Sequence, residues 1–195
     1  MRDLATSHGR SWAWTFGSGD LTIVLGLVAL FLPDIHWAPK GGIVAWLLIA
    51  AGAVELALAF ARGLDRVGMT ALVSGLLTAA AGLIFVFNPS AGYFPVANVV
   101  TIWLIARGAW VLAMAAGVPD RREAFWLGAS GAVDIALALV LALGVPASLL
   151  VVMLFGPTPP LVARFSMVLA VSFFATGIAQ VAIALQRRSA RPAAV

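Results

Sequence analysis

The sequence predicts an all-α, polytopic membrane bundle of six transmembrane helices, built from three parallel helical-hairpin repeats with pseudo-threefold symmetry. Three observations lead to this fold class. Hydrophobic residues make up 63% of the 195 residues and charged residues 10%, whereas about 25% of a typical soluble domain is charged. Six apolar segments are long enough to cross a bilayer. A pattern of small residues and prolines recurs three times along the chain.

The apolar segments are continuous, and each has about the length of a membrane helix. A hydrocarbon core about 30 Å thick needs roughly 20 apolar residues in a helix. In lipid the backbone must satisfy its own hydrogen bonds, so these segments are predicted to be helices, and their lack of alternation excludes barrel strands. In chain order they cover residues 12–32, 42–61, 69–87, 95–116, 125–143 and 164–185.

The recurring pattern has a constant period and divides the chain into three hairpins. In each hairpin a Ser-Gly pair opens an apolar stretch that ends in proline: Ser18-Gly19 with Pro33, Ser74-Gly75 with Pro89, and Ser130-Gly131 with Pro146. A second glycine keeps the period at Gly52 and Gly108, but its third copy, Gly177, comes 13 residues late. We therefore expect one transmembrane domain over residues 1–195, with repeats at about 11–66, 67–122 and 123–188 and tails at 1–10 and 189–195.

An apolar insert explains the late glycine in the third hairpin. Residues 147–156 are apolar and too short to span a membrane, and Pro157, Pro159 and Pro160 follow them. The insert is interpreted as a half-buried interfacial helix, a lid over the outer mouth, or a surface segment in the headgroup layer.

Basic residues predict the orientation of the helices. Nine would lie on one side of the membrane: Arg2, Arg10, Arg62, Arg66, Arg121, Arg122, Arg187, Arg188 and Arg191. Only Lys40 and Arg164 would lie on the other side. By the positive-inside rule both termini and tails are predicted to be cytoplasmic. The net charge of +4 then reflects topology and does not indicate nucleic-acid binding.

Small residues are predicted to pack the helices together. Hairpins that all enter from one side are parallel repeats, related by an axis along the membrane normal. Small residues seven apart lie on one face, where membrane helices approach closely. We expect helices 1, 3 and 5 to lie nearest the axis, and the candidate packing residues are Gly19, Gly26, Gly75, Gly82, Gly108 and Ser130.

Ionisable residues inside the spans form the candidate site. Charges in lipid are costly and usually face the bundle interior. At 1.5 Å per residue, Asp20, Glu55, Arg107 and Asp134 all lie roughly 10–15 Å from the cytoplasmic side, and Gln180 is the repeat equivalent of Glu55. We expect these five residues to converge in a buried polar cluster.

The charges of this layer do not balance, since three acids face one arginine and full ionisation would give a net charge of −2. One acid is expected to be protonated, solvated or paired with a cation. The cluster would then sense or conduct protons, pass a solute or ion, or only hold the bundle together. Arg107 shares a helix face with Trp103, Trp110 and Met114, so it could also stack on an indole or extend toward the cytoplasm. Ser130 could hydrogen-bond Asp134.

The sequence offers little support for catalysis, cofactors or metals. There is no cysteine, and the two histidines, His8 and His36, lie outside the spans, so no buried Ser–His pair or zinc site can be built. Asp34 with His36 could bind a metal weakly, but an exposed polar turn is the simpler interpretation. We expect no enzymatic activity, no cofactor and no metal site.

Three short repeats, each a Gly-rich helix ending in proline followed by a helix centred on glycine, resemble the HdeD acid-resistance membrane protein family. The resemblance covers roughly residues 11–187 and rests on the stretches Gly19–Pro33, Ala50–Leu56, Ser74–Pro89 and Trp103–Gly108. It implies a bacterial inner-membrane protein that protects against acid at high cell density. It transfers no catalytic residues, and the long third turn departs from the compact family pattern.

The sequence thus leaves three functions open. The first is an HdeD-like, non-enzymatic role in acid or envelope stress. The second is a small transporter or channel for protons or a solute, and the third is a scaffold for other membrane proteins. The lipid bilayer is the predicted partner. A second copy of the chain or other membrane proteins are further candidates, and no small-molecule ligand is indicated.

Overall fold

The structure is a computed structural model, which describes residues 2–31, 40–63, 66–88, 93–155 and 160–189. It contains six helices: α1 (Arg2–Phe31), α2 (Lys40–Arg62), α3 (Arg66–Phe87), α4 (Tyr93–Ala115), α5 (Arg121–Phe155) and α6 (Pro160–Ser189). Each helix includes a stretch long and apolar enough to cross a membrane. The prediction of six membrane-length helices is therefore confirmed.

Local backbone conformation and hydrogen bonding can be seen at the end of α2 and at the start of α5. Gly63 has a φ of 78°, a left-handed conformation that glycine adopts at little cost, and its N–H donates to the Ala59 carbonyl at 3.0 Å. At the start of α5, the Asp120 carboxylate accepts a hydrogen bond of 2.9 Å from the Arg122 N–H, as an N-cap residue does. These contacts mark the end of α2 and the start of α5.

The helices form a closed ring. Each helix packs against the next one along the chain, and α1 closes the ring on α6. The most extensive contacts are those of α2 with α3, α4 with α5, and α6 with α1. The end of the ring that carries Arg62, Arg66, Arg121, Arg187 and Arg188 is called the basic end below.

The expectation that helices 1, 3 and 5 lie nearest the axis is wrong. Arg107 on α4 hydrogen-bonds to Glu55 on α2 and to Thr176 on α6, so the even-numbered helices meet at the centre of the bundle. The glycine faces of the odd helices are used against neighbouring even helices and not against one another.

Each of the three closest helix pairs crosses at two glycines: Gly52 and Gly75, Gly108 and Gly131, and Gly177 and Gly19. A Cβ added at Gly108 would lie 2.8 Å from the Gly131 carbonyl oxygen, closer than carbon and oxygen atoms normally approach. Three of the candidate packing residues lie in these crossings, namely Gly19, Gly75 and Gly108. Their partner glycines are Gly177, Gly52 and Gly131. In the sequence, these glycines serve only to define the repeat and are not predicted as packing residues.

The other candidate packing residues lie outside these glycine-to-glycine crossings, and Gly82 is packed as closely as the crossings themselves. A Cβ at Gly82 would lie 2.9 Å from the Ala45 carbonyl oxygen, and one at Gly26 would lie 3.1 Å from the Phe174 ring. Ser130 is buried and donates a hydrogen bond of 2.9 Å to the Leu127 carbonyl of its own helix. It does not reach Asp134, contrary to the suggestion from the sequence.

An apolar layer fills the bundle on the side of Arg107 away from the basic end. Leu48, Val100 and Leu169 are fully or almost fully buried. They lie on α2, α4 and α6, each two turns of helix before Glu55, Arg107 and Thr176, which is about 10 Å along a helix. The layer separates the charged centre from the far end of the bundle.

The apolar insert is not a separate helix in its described part. Residues 147–155 continue α5, which reaches 35 residues, and α6 begins at Pro160. A helix of that length spans about 52 Å, well beyond a hydrocarbon core of about 30 Å. The predicted first outer turn with Asp34 and His36 lies outside the described residues, as do Pro33, Pro89 and residues 190–195.

Candidate functional site: a buried arginine with two carboxylates

Arg107 is the centre of a polar cluster inside the bundle. Its side chain is only 3% exposed. One terminal nitrogen, Nη1, donates to the Asp134 carboxylate. The other, Nη2, donates to Glu55 Oε1 at 2.6 Å and to Thr176 Oγ1 at 2.9 Å. A single guanidinium thus joins α2, α4, α5 and α6.

The Asp134 carboxylate is held from two sides. Its second oxygen accepts a hydrogen bond of 2.6 Å from Ser172 on α6, while Arg107 donates to the first. The guanidinium carbon also lies 5.9 Å from the centre of the Trp103 ring, within the range of a cation–π contact. The indole N–H of Trp103 in turn donates to Thr78 on α3 at 3.1 Å. Through Trp103, α3 therefore also helps to position the arginine.

Glu55 is held less completely than Asp134. Its Oε2 atom is buried and has no hydrogen-bond partner among the described residues, and the same is true of Arg107 Nε. Two carboxylates share one guanidinium, so the fully ionised group carries a net charge of −1. Buried polar atoms without partners are rare in folded proteins. A water molecule can pair with either atom, whereas a proton or a cation can bind only at the carboxylate oxygen.

Two of the five residues in the predicted cluster lie outside this hydrogen-bonded group. Asp20 is exposed on α1, on the same face as the exposed Leu21, Val24 and Leu27. Its depth in the membrane favours a place in the cluster, but the inward face of α1 carries Ser18, Gly19 and Thr22 instead. The inclusion of Asp20 in the cluster is therefore wrong.

Gln180 lies near the cluster without touching Arg107. Its Oε1 accepts a hydrogen bond of 2.9 Å from Ser18 on α1. Ser172 and Thr176, which do touch the charged group, are absent from the cluster predicted from the sequence. A polar residue at every fourth position of α6 places Ser172, Thr176 and Gln180 on one helix face. This spacing is the sequence signal that could have predicted both residues.

A cavity adjoins the cluster on the side of the basic end. Its volume is about 40 Å³, and Glu55 and Arg107 line it, which is enough room for a few water molecules. The remaining polar lining residues are mostly hydroxyl-bearing: Thr15, Thr70, Ser74, Ser130, Thr176 and Gln180. The structure thus places a small space with many oxygen atoms beside an incompletely paired carboxylate.

The basic end is tied together by a second set of polar contacts. Arg187 on α6 pairs with Glu123 on α5, and the Arg188 guanidinium lies 5.3 Å from the centre of the Trp12 ring on α1. Arg62 on α2 donates to Thr15 on α1 at 2.9 Å. These contacts join the helices at the basic end and are separate from the Arg107 cluster.

Together these features define a multi-pass helical membrane protein with an acid-rich ion cluster buried among its helices. Comparison with protein families gives the same class. The model of a short repeat of unknown function, DUF308, matches residues 17–87 and again residues 73–143. Since the two matches cover more than half of the chain, the protein belongs to the DUF308 family.

The two family matches have the same length, and their starts are as far apart as Ser18 and Ser74, so they follow the period of the Ser-Gly pairs. A search of curated proteins and a search of solved structures each gave no match. Among the described residues, no group of three or more His, Cys, Asp or Glu side chains is placed to hold a metal ion.

Proposed function

We propose that this chain is a non-enzymatic protein of the bacterial inner membrane that supports resistance to acid or envelope stress. DUF308 is the family associated with HdeD-like membrane proteins, which the sequence resembles. The observation that carries the proposal is the sharing of one buried guanidinium by two carboxylates. Such a group changes its net charge when it takes up one proton.

Glu55 is the acid at which a proton would disturb the fewest contacts. It accepts one hydrogen bond, from Arg107, whereas Asp134 accepts one from Arg107 and another from Ser172. Neutralising Glu55 weakens the direct link between α2 and α4, while Arg107 keeps its partner on α5. We infer that proton uptake loosens the packing of α2 on this side of the cavity.

The proposal includes an arrangement of three repeats about a pseudo-threefold axis. Its support is the three equivalent glycine crossings between α2 and α3, α4 and α5, and α6 and α1. In each crossing the second helix of one hairpin packs on the first helix of the next hairpin. The basic end would face the cytoplasm, by the positive-inside rule, and the cavity would then open toward the cytoplasm.

Survival of acid by living cells tests the proposed function. Cells that lack the gene are complemented with the intact chain, with Glu55→Gln, or with Asp20→Asn as the matched control, at equal protein levels in the membrane. We expect the intact chain and Asp20→Asn to protect the cells and Glu55→Gln to protect them much less. Equal protection by all three chains would show that the Arg107 cluster is not needed for acid resistance.

A small proton- or solute-conducting channel is a second candidate, and the cavity favours it. The apolar layer of Leu48, Val100 and Leu169 argues against it, because conduction requires a polar route through the whole bilayer. Proton flux into liposomes decides between the two. Flux that is present with the intact protein and lost with Asp134→Asn would move this protein into the transporter class.

A scaffold for other membrane proteins is a third candidate, favoured by the position of Asp20. An acid exposed among apolar side chains within a span is costly in lipid and is more easily explained if another helix covers it. A partner that co-purifies with the intact chain and is lost with Asp20→Leu would support a scaffold. A preparation that contains only this chain would weaken it.

A further inference from the structure

Three hydroxyl groups that line the cavity beside Glu55 act there as hydrogen-bond acceptors, because each donates its proton elsewhere. A hydroxyl has a single proton to donate. Thr70 gives its proton to the Arg66 carbonyl at 2.7 Å, Ser74 to the Thr70 carbonyl at 2.7 Å, and Ser130 to the Leu127 carbonyl at 2.9 Å. Each of these side chains therefore offers only oxygen lone pairs to the cavity.

The charged residues at the cavity point to the same kind of ligand. Glu55 contributes Oε2, a buried carboxylate oxygen without a partner among the described residues. The charged groups that face Glu55 are Arg107 on α4 and, across the guanidinium, Asp134 on α5. Their net charge is −1 when all are ionised, so one positive charge would complete the site. Within the described part of the chain, Arg107 Nε is the only donor of the cluster that lacks a partner.

We infer that this cavity is a binding site for a single small monovalent cation, Na⁺ in size and charge, held by Glu55 Oε2 and the hydroxyl oxygens of Thr70, Ser74 and Ser130. The inference rests on the proposed function and deepens it, because a proton and the cation would compete for the same carboxylate. Acid would displace the cation, and the packing around α2 would respond to both ligands.

The size and composition of the site exclude larger and more highly charged ligands. A cavity of about 40 Å³ accommodates an ion with one or two water molecules and no organic solute. Calcium takes six to eight oxygen ligands, with several carboxylates among them, whereas this site has one free carboxylate oxygen. Hard oxygen ligands with one compensating charge suit an alkali cation.

Thermal unfolding of the purified full-length protein tests the inference. The melting temperature is measured in detergent at pH 7.5 in NaCl, LiCl, KCl or choline chloride at equal ionic strength. A ligand that binds only the folded state stabilises it in a saturable manner. We expect the melting temperature in NaCl to exceed that in choline chloride by about 3 °C or more. At pH 5.5, we expect a higher Na⁺ concentration to be needed for half of this increase.

Two variants and one control complete the experiment. Glu55→Gln should abolish the difference between Na⁺ and choline, and Ser74→Ala should shift the half-saturating Na⁺ concentration several-fold upward if Glu55→Gln fails to fold. Asp20→Asn should behave like the intact chain. A melting temperature that is the same in all four salts would overturn the inference. So would an unchanged Na⁺ effect in Glu55→Gln or, if that variant does not fold, an unchanged half-saturating Na⁺ concentration in Ser74→Ala.

The outcome is separable from that of the proposed function. If Glu55→Gln loses acid protection but the intact protein shows no preference for Na⁺, the proton response stands and the cation site falls. If Na⁺ stabilises the protein through Glu55 but acid survival is unchanged by the variant, the cation site stands and the role in acid stress falls.

Discussion

At the scale of single residues, Arg107 is the side chain on which the centre of the bundle depends. It is buried, and its two terminal nitrogens bind carboxylates on different helices. Removing one member of a buried ion pair leaves an uncompensated charge, which usually costs more than the pair itself contributes. The arginine is thus required as long as both acids are present.

Replacement of Arg107 by leucine is expected to lower the free energy of unfolding by about 3–5 kcal/mol, because Glu55 and Asp134 would then be buried without a counter-charge. The measurement is denaturant unfolding in mixed micelles. Combining Arg107→Leu with Glu55→Gln and Asp134→Asn should recover part of the loss. A combined variant less stable than Arg107→Leu would show that the acids stabilise the fold through some other partner.

Asp20→Asn is expected to change the free energy of unfolding by less than about 0.5 kcal/mol, since Asp20 is exposed and lies apart from the Arg107 cluster. Asp134→Asn, measured under the same conditions, should be clearly destabilising. If the two variants cost the same, the division between an inner and an outer acid would be wrong.

The comparison of Asp20 with Asp134 also shows what sequence can and cannot predict at this scale. Depth in the membrane follows from counting residues along one helix, and the two acids have similar depths. The direction in which a side chain points depends on how neighbouring helices pack, and a uniformly apolar helix gives little sign of it. Glu55, Arg107 and Asp134 are brought together by the fold, and Asp20 is not.

At the scale of helices, close backbone contact between glycines determines how the elements pair. The crossings of α4 on α5 and of α2 on α3 leave no room for a Cβ. In lipid the hydrophobic effect does not drive helices together, so such close van der Waals contact becomes a main source of association. The crossing of Gly108 on Gly131 also sets the position along the helices at which Arg107, next to Gly108, meets Asp134.

Gly108→Ala is therefore expected to destabilise the bundle by about 1–3 kcal/mol, the range observed for overpacked cores. Gly17→Ala is the matched control, because Gly17 lies in a helix and a Cβ there would meet no atom within 4 Å. Gly17→Ala should be neutral or slightly stabilising. Unfolding of both variants in mixed micelles gives the comparison, and equal effects would contradict the role of the crossings.

The repeat period predicts that glycines recur, but not which helices they join. Gly75 and Gly108 can be recognised in the sequence as packing residues, yet nothing in a single chain tells whether odd helices pack on each other or on even ones. The answer depends on the second glycine of each crossing, such as Gly131. The apolar insert is ambiguous in the same way, because 147–155 is as compatible with an extended α5 as with an interfacial helix.

At the scale of the whole molecule, the ring of helices has one basic end and an opposite end at which the described basic residues are Lys40 and Arg164. The cavity extends from Glu55 and Arg107 toward the basic end, where Thr15 and Ile183 line it, and the apolar layer lies on the other side of Arg107. If the basic end faces the cytoplasm, as we propose, the ion cluster would respond to the pH of the cytoplasm and not directly to that of the surroundings.

The orientation can be measured with single cysteines, because the chain has none of its own. Asp120 lies at the basic end and Asn88 at the opposite end, and both are exposed. A membrane-impermeant thiol reagent applied to intact spheroplasts should label Asn88→Cys and should label Asp120→Cys only after the membrane is opened. The reverse pattern would invert the proposed topology.

The most direct test of the central claim is whether protons open the cluster. Ala179 lines the cavity and is 3% exposed, so the labelling rate of Ala179→Cys, relative to Asn88→Cys, reports access to this space. With a disulfide reagent that reacts in acid, we expect the relative rate to rise several-fold between pH 7.5 and pH 4.5, and to be insensitive to pH when Glu55→Gln is added. A relative rate that does not change with pH in the chain with Glu55 intact would contradict the account and leave the cluster as a purely structural element.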